Sequence, residues 1–98
     1  MFARVSTFDG PAERIDAVAR EAEARVIPSV KEEDGFRGML VLGDRVSGKS
    51  ISITLWDTEQ ALTASEQAAN RLRHEAADAA GIKVASVELF EVLLDRSR

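Results

Sequence analysis

The stretch Lys49-Ser-Ile-Ser-Ile-Thr-Leu-Trp56 decides the fold, because its side chains alternate strictly between two kinds. One set is aliphatic and comprises Ile51, Ile53 and Leu55, whereas the other is mixed and comprises Ser50, Ser52, Thr54 and Trp56. A period of two residues is typical of a β-strand whose faces meet different surroundings. The residues that follow, Asp57-Thr-Glu-Gln60, resemble a capping box with Asp57 as the cap. The stretch therefore predicts a central strand that leads directly into a helix.

Turn and cap signals divide the rest of the chain into three further strands and one further helix. Alternating residues predict strands over 1–8, 36–43 and 83–94, in addition to 49–56. Apolar residues at three- and four-residue spacing predict helices over 11–26 and 57–80. Pro28 should break or kink the first helix, with a further turn through Val30 as the alternative, and Gly81 should end the second.

The element order β-α-β-β-α-β predicts a ferredoxin-like α+β fold. This fold is a four-stranded antiparallel sheet with both helices on one face. We expect residues 1–94 to form this single domain and residues 95–98 to form a C-terminal tail.

Composition excludes several classes of function. The chain has 98 residues, a net charge of −4, no cysteine and a single histidine, His74. Disulfides, thiol catalysis and a His-rich metal site within one chain are therefore excluded. No Lys/Arg cluster is interleaved with aromatic residues and no apolar run reaches about 20 residues, so we expect neither a nucleic-acid partner nor a membrane span. The N-terminus lacks the basic-then-apolar order of a signal peptide, which leads us to expect a cytoplasmic location.

The two faces of the predicted sheet differ in composition, and each needs a cover. We expect the helices to pack on the aliphatic face, which carries Val5, Ile51, Ile53, Leu55, Val87 and Leu89. The opposite face would then carry Phe2, Arg4, Ser6, Phe8, Ser52, Thr54, Trp56, Phe90 and Val92. In water its aromatic residues would form a larger apolar patch than a small monomer usually exposes. We therefore expect a homodimer whose sheets pack face to face and bury about 1,600 Å².

The polar members of this second face allow two interpretations. They are Arg4, Ser6, Ser52 and Thr54, which are too many for a dry interface core. The two sheets either enclose a cavity around them, or these residues lie at the edge of the sheet and contact water.

Three segments carry a resemblance to a known family. Asp34-Gly-Phe-Arg-Gly38 looks like a PGF-x-G motif with aspartate in place of proline. Leu55-Trp-Asp-Thr-Glu-Gln-Ala-Leu62 looks like W-x-[ST]-x-[ED]-A, and Val87-Glu-Leu-Phe-Glu-Val92 looks like the matching last strand. With these motifs, its length and its element order, essentially the whole chain resembles the antibiotic biosynthesis monooxygenase-like domains of the dimeric α+β barrel superfamily.

The resemblance implies a homodimer whose two sheets form a barrel. It also implies a small hydrophobic cavity between the sheet and the helices of each protomer. Members of this family include cofactor-free oxygenases of polyketide quinones, haem-degrading enzymes, isomerases and proteins without known activity.

Haem-degrading relatives use an Asn on the first strand, a Trp on the second helix and a His iron ligand further along that helix. The corresponding positions are Ser6, Ser65 and His74, so one of three residues matches. On an ideal helix, at about 100° per residue, His74 points away from the apolar stripe, and we expect it to be exposed. We therefore expect no cofactor, with haem at His74 as a disfavoured alternative.

The cofactor-free oxygenases stabilise a substrate anion with a Trp, Asn, Tyr and Arg type of set. The corresponding candidates are Trp56, Asn70 and either Arg4 or Arg37, and the chain has no tyrosine. Trp56 has an alternative role as a packing anchor, and Asn70 as a solvated residue. Arg4 and Glu88 form a further candidate pair, which either fixes the strand register as an ion pair or binds a ligand.

We therefore predict a protein that binds a small hydrophobic or aromatic molecule, with cofactor-independent oxygenation of an aromatic or quinone-type substrate as the leading activity. The candidate pocket residues are Arg4, Ser6, Thr54, Trp56, Asn70 and Glu88. The alternative is a non-catalytic dimeric module that binds a ligand or responds to stress. A cavity of about 300 Å³ or more, lined by Trp56 and a few polar groups, would favour an active pocket. A small void lined by alanines would argue against one.

Overall fold

A computed structural model describes residues 1–96 and contains one antiparallel sheet of four strands. The strands are β1 (Phe2–Asp9), β2 (Phe36–Gly43), β3 (Ser50–Trp56) and β4 (Lys83–Glu91). Their order across the sheet is β2-β3-β1-β4, so the first and third strands are central. The ferredoxin-like α+β fold is confirmed, and the strand over the Lys49–Trp56 stretch begins within one residue of the expected position.

The first helical region is irregular and includes the further turn through Val30 that was the alternative expectation. A 3₁₀ turn (Ala12–Arg14) leads into α1 (Ile15–Glu21), a π-helical turn (Ala22–Val26) and then α2 (Ile27–Val30). Pro28 does not end the region, because it lies in the first turn of α2, where its missing N–H is tolerated.

The second helical region is divided at Ser65 into α3 (Glu59–Ala64) and α4 (Glu66–Ala80). Its cap is Thr58 and not Asp57, because the Thr58 hydroxyl accepts the Ala61 N–H at 3.0 Å. Asp57 instead accepts a hydrogen bond from Arg37 Nη1 at 2.9 Å.

Two boundaries at the end of the chain follow from backbone geometry. Gly81 ends α4 in the left-handed conformation, with φ of 74°, as expected for a C′ glycine. β4 stops at Glu91, three residues before the expected end, because its partner β1 begins at Phe2. The Val92 N–H still reaches the Met1 carbonyl at 2.8 Å. Of the expected tail over 95–98, residues 97 and 98 lie outside the described part of the chain.

The face of the sheet that packs on the helices is the opposite of the one expected. The mixed set of β1 and β3 faces the helices, with Arg4, Ser6, Phe8, Ser50, Thr54 and Trp56 all buried. Phe8 contributes to the core together with Ala17, Val18, Ala77, Ala80 and Ile82. The expectation was wrong because Arg4, the charged residue of this face, finds its partners on the helices, which the strand pattern does not reveal.

The uncovered face is the aliphatic one. In the strand register, Val5 of β1 pairs with Ile53 of β3, which pairs with Leu40 of β2. The neighbouring positions on this face carry Leu42, Ile51, Leu55 and Phe90. The expected grouping of β4 is wrong, because Val87 and Leu89 are aligned with Ser6 and Arg4 and share their face, whereas Phe90 is aligned with Ala3 and shares the face of Val5. Leu40, Leu42 and Phe90 are among the large apolar side chains exposed on this face.

Within residues 1–96, no helix has the length and apolar character needed to cross a membrane. In the same range, no three His, Cys, Asp or Glu side chains are grouped in a way that would hold a metal ion.

Candidate functional site

A cavity of about 60 Å³ lies between the helix-facing side of the sheet and the helices. Its wall includes strand residues with polar groups, two arginines and a series of small apolar residues from the helices. The members are Arg4, Ser6, Phe8, Val18, Ala22, Val26, Val30, Met39, Val41, Ser52, Thr54, Trp56, Ala69, Leu72, Arg73, Ala76, Ala77, Ala80 and Ile82. The strict alternation of β1 and β3 sends their mixed set into this space.

Trp56 closes one end of the sheet wall and has no solvent exposure. Its indole Nε1–H donates to the Thr54 hydroxyl at 3.0 Å, so the buried polar atom is satisfied within the same strand. Phe36 packs against the indole edge-on, with ring centroids 5.5 Å apart and an interplanar angle of 70°. The Gly35 carbonyl accepts the Asp57 N–H at 2.8 Å, which anchors the backbone next to both rings. The two motifs of the sequence therefore meet at this end of the cavity.

The helix wall is formed by one stripe of α4. Ala69, Leu72, Arg73, Ala76, Ala77 and Ala80 follow three- and four-residue spacing and all line the cavity. Because most of these side chains are alanine, the helix approaches the sheet closely yet leaves free space. Ala22 and Val26, at the ends of the π-helical turn, also line the cavity.

Arg4 is a buried cation whose partners all come from the second helical region. Its side chain is 3% exposed. Nη1 donates to the Ser65 hydroxyl at 3.1 Å, and Nη2 donates to the Leu62 carbonyl at 2.8 Å and to Glu66 Oε2 at 2.9 Å. In a continuous helix the Leu62 carbonyl would accept the N–H four residues later. The division of the helix at Ser65 leaves this carbonyl accessible to the arginine.

Arg73 is the second buried cation of the cavity wall, and its side chain is 7% exposed. Nη2 donates to Asn70 Oδ1 at 2.9 Å and lies 3.8 Å from Glu66 Oε1. Burial lowers the pKa of the Arg73 guanidinium, Glu66 opposes this effect, and the positive charge of Arg4 adds to it. The two cations therefore share one carboxylate.

The structure brings together four of the six predicted pocket residues. Arg4, Ser6, Thr54 and Trp56 line the cavity, whereas Asn70 and Glu88 do not. Asn70 is exposed and contacts the cavity indirectly, through its hydrogen bond to Arg73.

The expected pairing of Arg4 with Glu88 is wrong. Arg4 aligns with Leu89 in the neighbouring strand, and Glu88 aligns with Val5. Residues aligned across an antiparallel pair share a face, and adjacent residues point to opposite faces. Glu88 therefore lies on the uncovered face, and the carboxylate that pairs with Arg4 is Glu66. The other arginine considered, Arg37, is exposed and pairs with Asp57.

The residues present do not fit a haem ligated by His74. His74 is exposed, as expected, and its Nδ1 lies 2.9 Å from the Asn70 carbonyl on the outer side of α4. It does not line the cavity, and a volume of about 60 Å³ is far smaller than a porphyrin requires. Ser65, at the position of the relatives' Trp, is committed to Arg4 and Leu62.

Sequence reasoning missed Arg73, the buried cation on the helix side of the cavity. The signal that identifies it is spacing, because Arg73 lies four residues from both Ala69 and Ala77, which belong to the inward stripe. The cavity also falls between the two expected outcomes, since it is small but is lined by Trp56 and several polar groups as well as by alanines.

The sequence model of one family, antibiotic biosynthesis monooxygenase, matches residues 1–77. An uncharacterized protein of Mycobacterium tuberculosis is 30% identical over 92 residues, which are 94% of this chain and 41% of the relative. A second uncharacterized protein of that organism is 31% identical over 77 residues, 79% of this chain and 33% of the relative. The chain therefore spans about two fifths or less of the length of these curated relatives.

Solved structures share the fold at low sequence identity. A candidate antibiotic biosynthesis monooxygenase from Deinococcus radiodurans has a TM-score of 0.72 at 16% identity, covering 100% of this chain and 98% of that one. The heme-degrader MhuD from Mycobacterium tuberculosis, with two hemes bound in its active site, has a TM-score of 0.71 at 20% identity and coverage of 99% and 100%. SnoaB, a cofactor-independent oxygenase from Streptomyces nogalater, has a TM-score of 0.65 at 16% identity and coverage of 96% and 94%.

Proposed function

The chain belongs to the antibiotic biosynthesis monooxygenase family, and from this premise we propose that it binds a small aromatic molecule in the cavity beneath Trp56. The leading activity is cofactor-independent oxygenation of an aromatic or quinone-type substrate. The observation that supports it is the wall itself, where a buried indole, two arginines and the hydroxyl side chains of Ser6, Ser52 and Thr54 lie among apolar residues.

The proposed chemistry assigns a simple role to these residues. An electron-rich phenolate or enolate can transfer an electron to dioxygen without a metal, so the protein has to bind the anion and exclude water. Fixed positive charge in a space of low dielectric stabilises such an anion strongly. Trp56 offers a flat, rigid surface for an aromatic ring, and the alanines of α4 leave room for it.

A binding titration tests the proposal directly, because Trp56 is the only tryptophan and reports on the cavity. Naphthoquinone and its reduced hydroquinone form should quench its fluorescence in a saturable manner, and the protein should raise the rate at which the hydroquinone consumes oxygen at an electrode above the rate without protein. Ala76→Leu, which fills the cavity, should abolish both signals. Ala79→Leu is the matched control, because Ala79 lies on the same helix but is exposed. Equal signals from the two variants would contradict the proposal.

The second candidate is a non-catalytic ligand-binding module, and one observation favours it. Among the described residues that line the cavity there is no carboxylate, imidazole or phenol, so the chain supplies no general base there. Saturable quenching that Ala76→Leu abolishes, without oxygen consumption, is the result expected for this candidate.

The proposal includes a homodimer and a cytoplasmic location. The support for the dimer is the uncovered aliphatic face, on which Leu40, Leu42 and Phe90 are exposed to solvent in the isolated chain. A second copy packed on this face would form the barrel of two sheets that the family resemblance implies.

Haem binding is not part of the proposal, and it has a separate test. Addition of haemin should give no Soret band that depends on His74, so the wild type and His74→Ala should give the same spectrum. A stoichiometric band that disappears in this variant would contradict the placement of His74 outside the cavity.

A further inference from the structure

The cavity wall carries an excess of buried positive charge. Arg4 and Arg73 are both more than nine-tenths buried, and the carboxylate they share, Glu66, is 49% exposed. No described lining residue of the cavity is acidic. Two cations against one carboxylate leave one positive charge without a protein partner, in a region where an unpaired charge is costly.

Each of the two arginines also keeps an unused donor. Within residues 1–96, the buried Nε–H groups of Arg4 and Arg73 have no hydrogen-bond acceptor, although both terminal nitrogens of Arg4 and Nη2 of Arg73 are paired. Buried donors of native proteins are almost always satisfied, and an unsatisfied one calls for an explanation. Here two such donors belong to the same cavity, and the charge of Arg4 is close enough to lower the pKa of Arg73.

A structural role does not account for this arrangement. Arg4 joins the sheet to the helices through three acceptors, but Arg73 forms one hydrogen bond to the exposed Asn70 and a long contact to Glu66. A leucine or methionine at this position of the stripe would fill the space without a desolvation penalty. The buried charge of Arg73 is therefore explained better by a ligand than by packing.

We propose that Arg4 and Arg73 form an anion-binding end of the cavity, and that the ligand of this protein is a compact aromatic or branched molecule carrying a single oxyanion, as a carboxylate or phenolate does. The inference rests on the proposed small-molecule cavity and defines the charge of its ligand. One negative charge balances the excess cation, and one oxyanion has lone pairs for both free Nε–H donors. Because the wall supplies no base, the ligand enters already ionised and its apolar body lies against Trp56 and the alanines of α4.

The test compares pairs of probes that have the same shape but differ in charge. Isobutyrate with isobutyramide and benzoate with benzamide are titrated into the full chain, with Trp56 fluorescence as the readout and calorimetry as a check. Each acid should bind about tenfold or more tightly than its amide, because a charge-assisted hydrogen bond between buried groups contributes that much. 4-Nitrophenol, titrated above and below its own pKa, distinguishes a phenolate from a carboxylate preference.

Arg73→Met should abolish the preference for the acid while leaving the weak binding of the amide. Arg71→Met is the matched control, because it removes the same charge from an exposed position on the same helix. Retention of the preference in Arg73→Met, or equal loss in both variants, overturns the anion site. Equal binding of acid and amide by the wild type overturns the anion site but leaves the cavity, whereas failure of every probe to bind overturns both.

Discussion

Nη2 of Arg4 lies 2.9 Å from Oε2 of Glu66, and this contact joins the middle of β1 to the first turn of α4. The same nitrogen donates to the Leu62 carbonyl at 2.8 Å, and Nη1 donates to Ser65 at 3.1 Å. One buried side chain therefore supplies three acceptors of the second helical region and connects the sheet to the helix layer.

Replacing Arg4 by methionine should destabilise the protein by about 3 kcal/mol, because it removes the donor of the buried Ser65 hydroxyl, one of the two donors of the Leu62 carbonyl, and the ion pair of Glu66. The measurement is the free energy of unfolding from urea titrations followed by circular dichroism. Arg37→Met is the control, since the ion pair of Arg37 with Asp57 is exposed and should contribute less than about 1 kcal/mol. Similar losses in the two variants would show that Arg4 does not join the two layers.

Arg73→Met should behave in the opposite way and leave the stability unchanged or raise it by about 1 kcal/mol. The reason is that Arg73 is buried and forms only one short hydrogen bond. In the variant, Glu66 remains paired with Arg4. Thermal unfolding without ligand measures this effect. A loss as large as that of Arg4→Met would mean that the Arg73 charge is structural and would weaken the case for an anion site.

Thr54→Val should cost about 1–3 kcal/mol, because it removes the acceptor of the buried Trp56 Nε1–H without changing the shape of the side chain. Thr54→Ser keeps the hydroxyl and should keep most of the stability. Adding Trp56→Phe to Thr54→Val removes the orphaned donor, so a double-mutant cycle should report a coupling energy between the two positions. Additive losses would indicate that the hydrogen bond is not formed.

Leu40→Glu should separate the proposed dimer, because Leu40 lies on the uncovered face and is 55% exposed in the isolated chain. The folded monomer should tolerate the exchange, whereas a face-to-face interface would bury the new carboxylate. Sedimentation at ~10 µM should give the mass of two chains for the wild type and of one chain for the variant. Val46→Glu, in the exposed turn between β2 and β3, is the control and should remain dimeric. A monomeric wild type would contradict the barrel.

Acid should weaken the turn between β2 and β3 through Asp44. The N–H of Val46, the Ser47 hydroxyl and the Ser47 N–H lower the pKa of the Asp44 carboxyl from its usual 3.8. A lowered pKa in the folded state means that the stabilisation is complete above pH 3.8 and is lost as the pH falls through the lower folded pKa. An NMR titration should give a midpoint below 3.8, and Asp44→Asn should flatten the dependence of Tm on pH in that range. Equal acid sensitivity of wild type and variant would exclude this role.

The element order, the fold class and most strand boundaries were predictable from the sequence. Alternation over residues 49–56, the spacing of apolar residues in the helices and the left-handed glycine at 81 are local signals. A local signal depends only on neighbours along the chain, so one sequence is sufficient to read it. The π-helical turn and the division at Ser65 were not predictable, because both depend on contacts between layers.

What the sequence determined by itself was that Ile51 and Ile53 share one face and Thr54 and Trp56 the other, since a strand sends successive side chains to opposite sides. It did not determine which face the helices cover. Hydrophobicity alone predicts that the helices cover the aliphatic face, yet they cover the face that contains Arg4. Tertiary structure decided this, because only in the folded chain do Leu62, Ser65 and Glu66 meet the guanidinium and satisfy its buried charge.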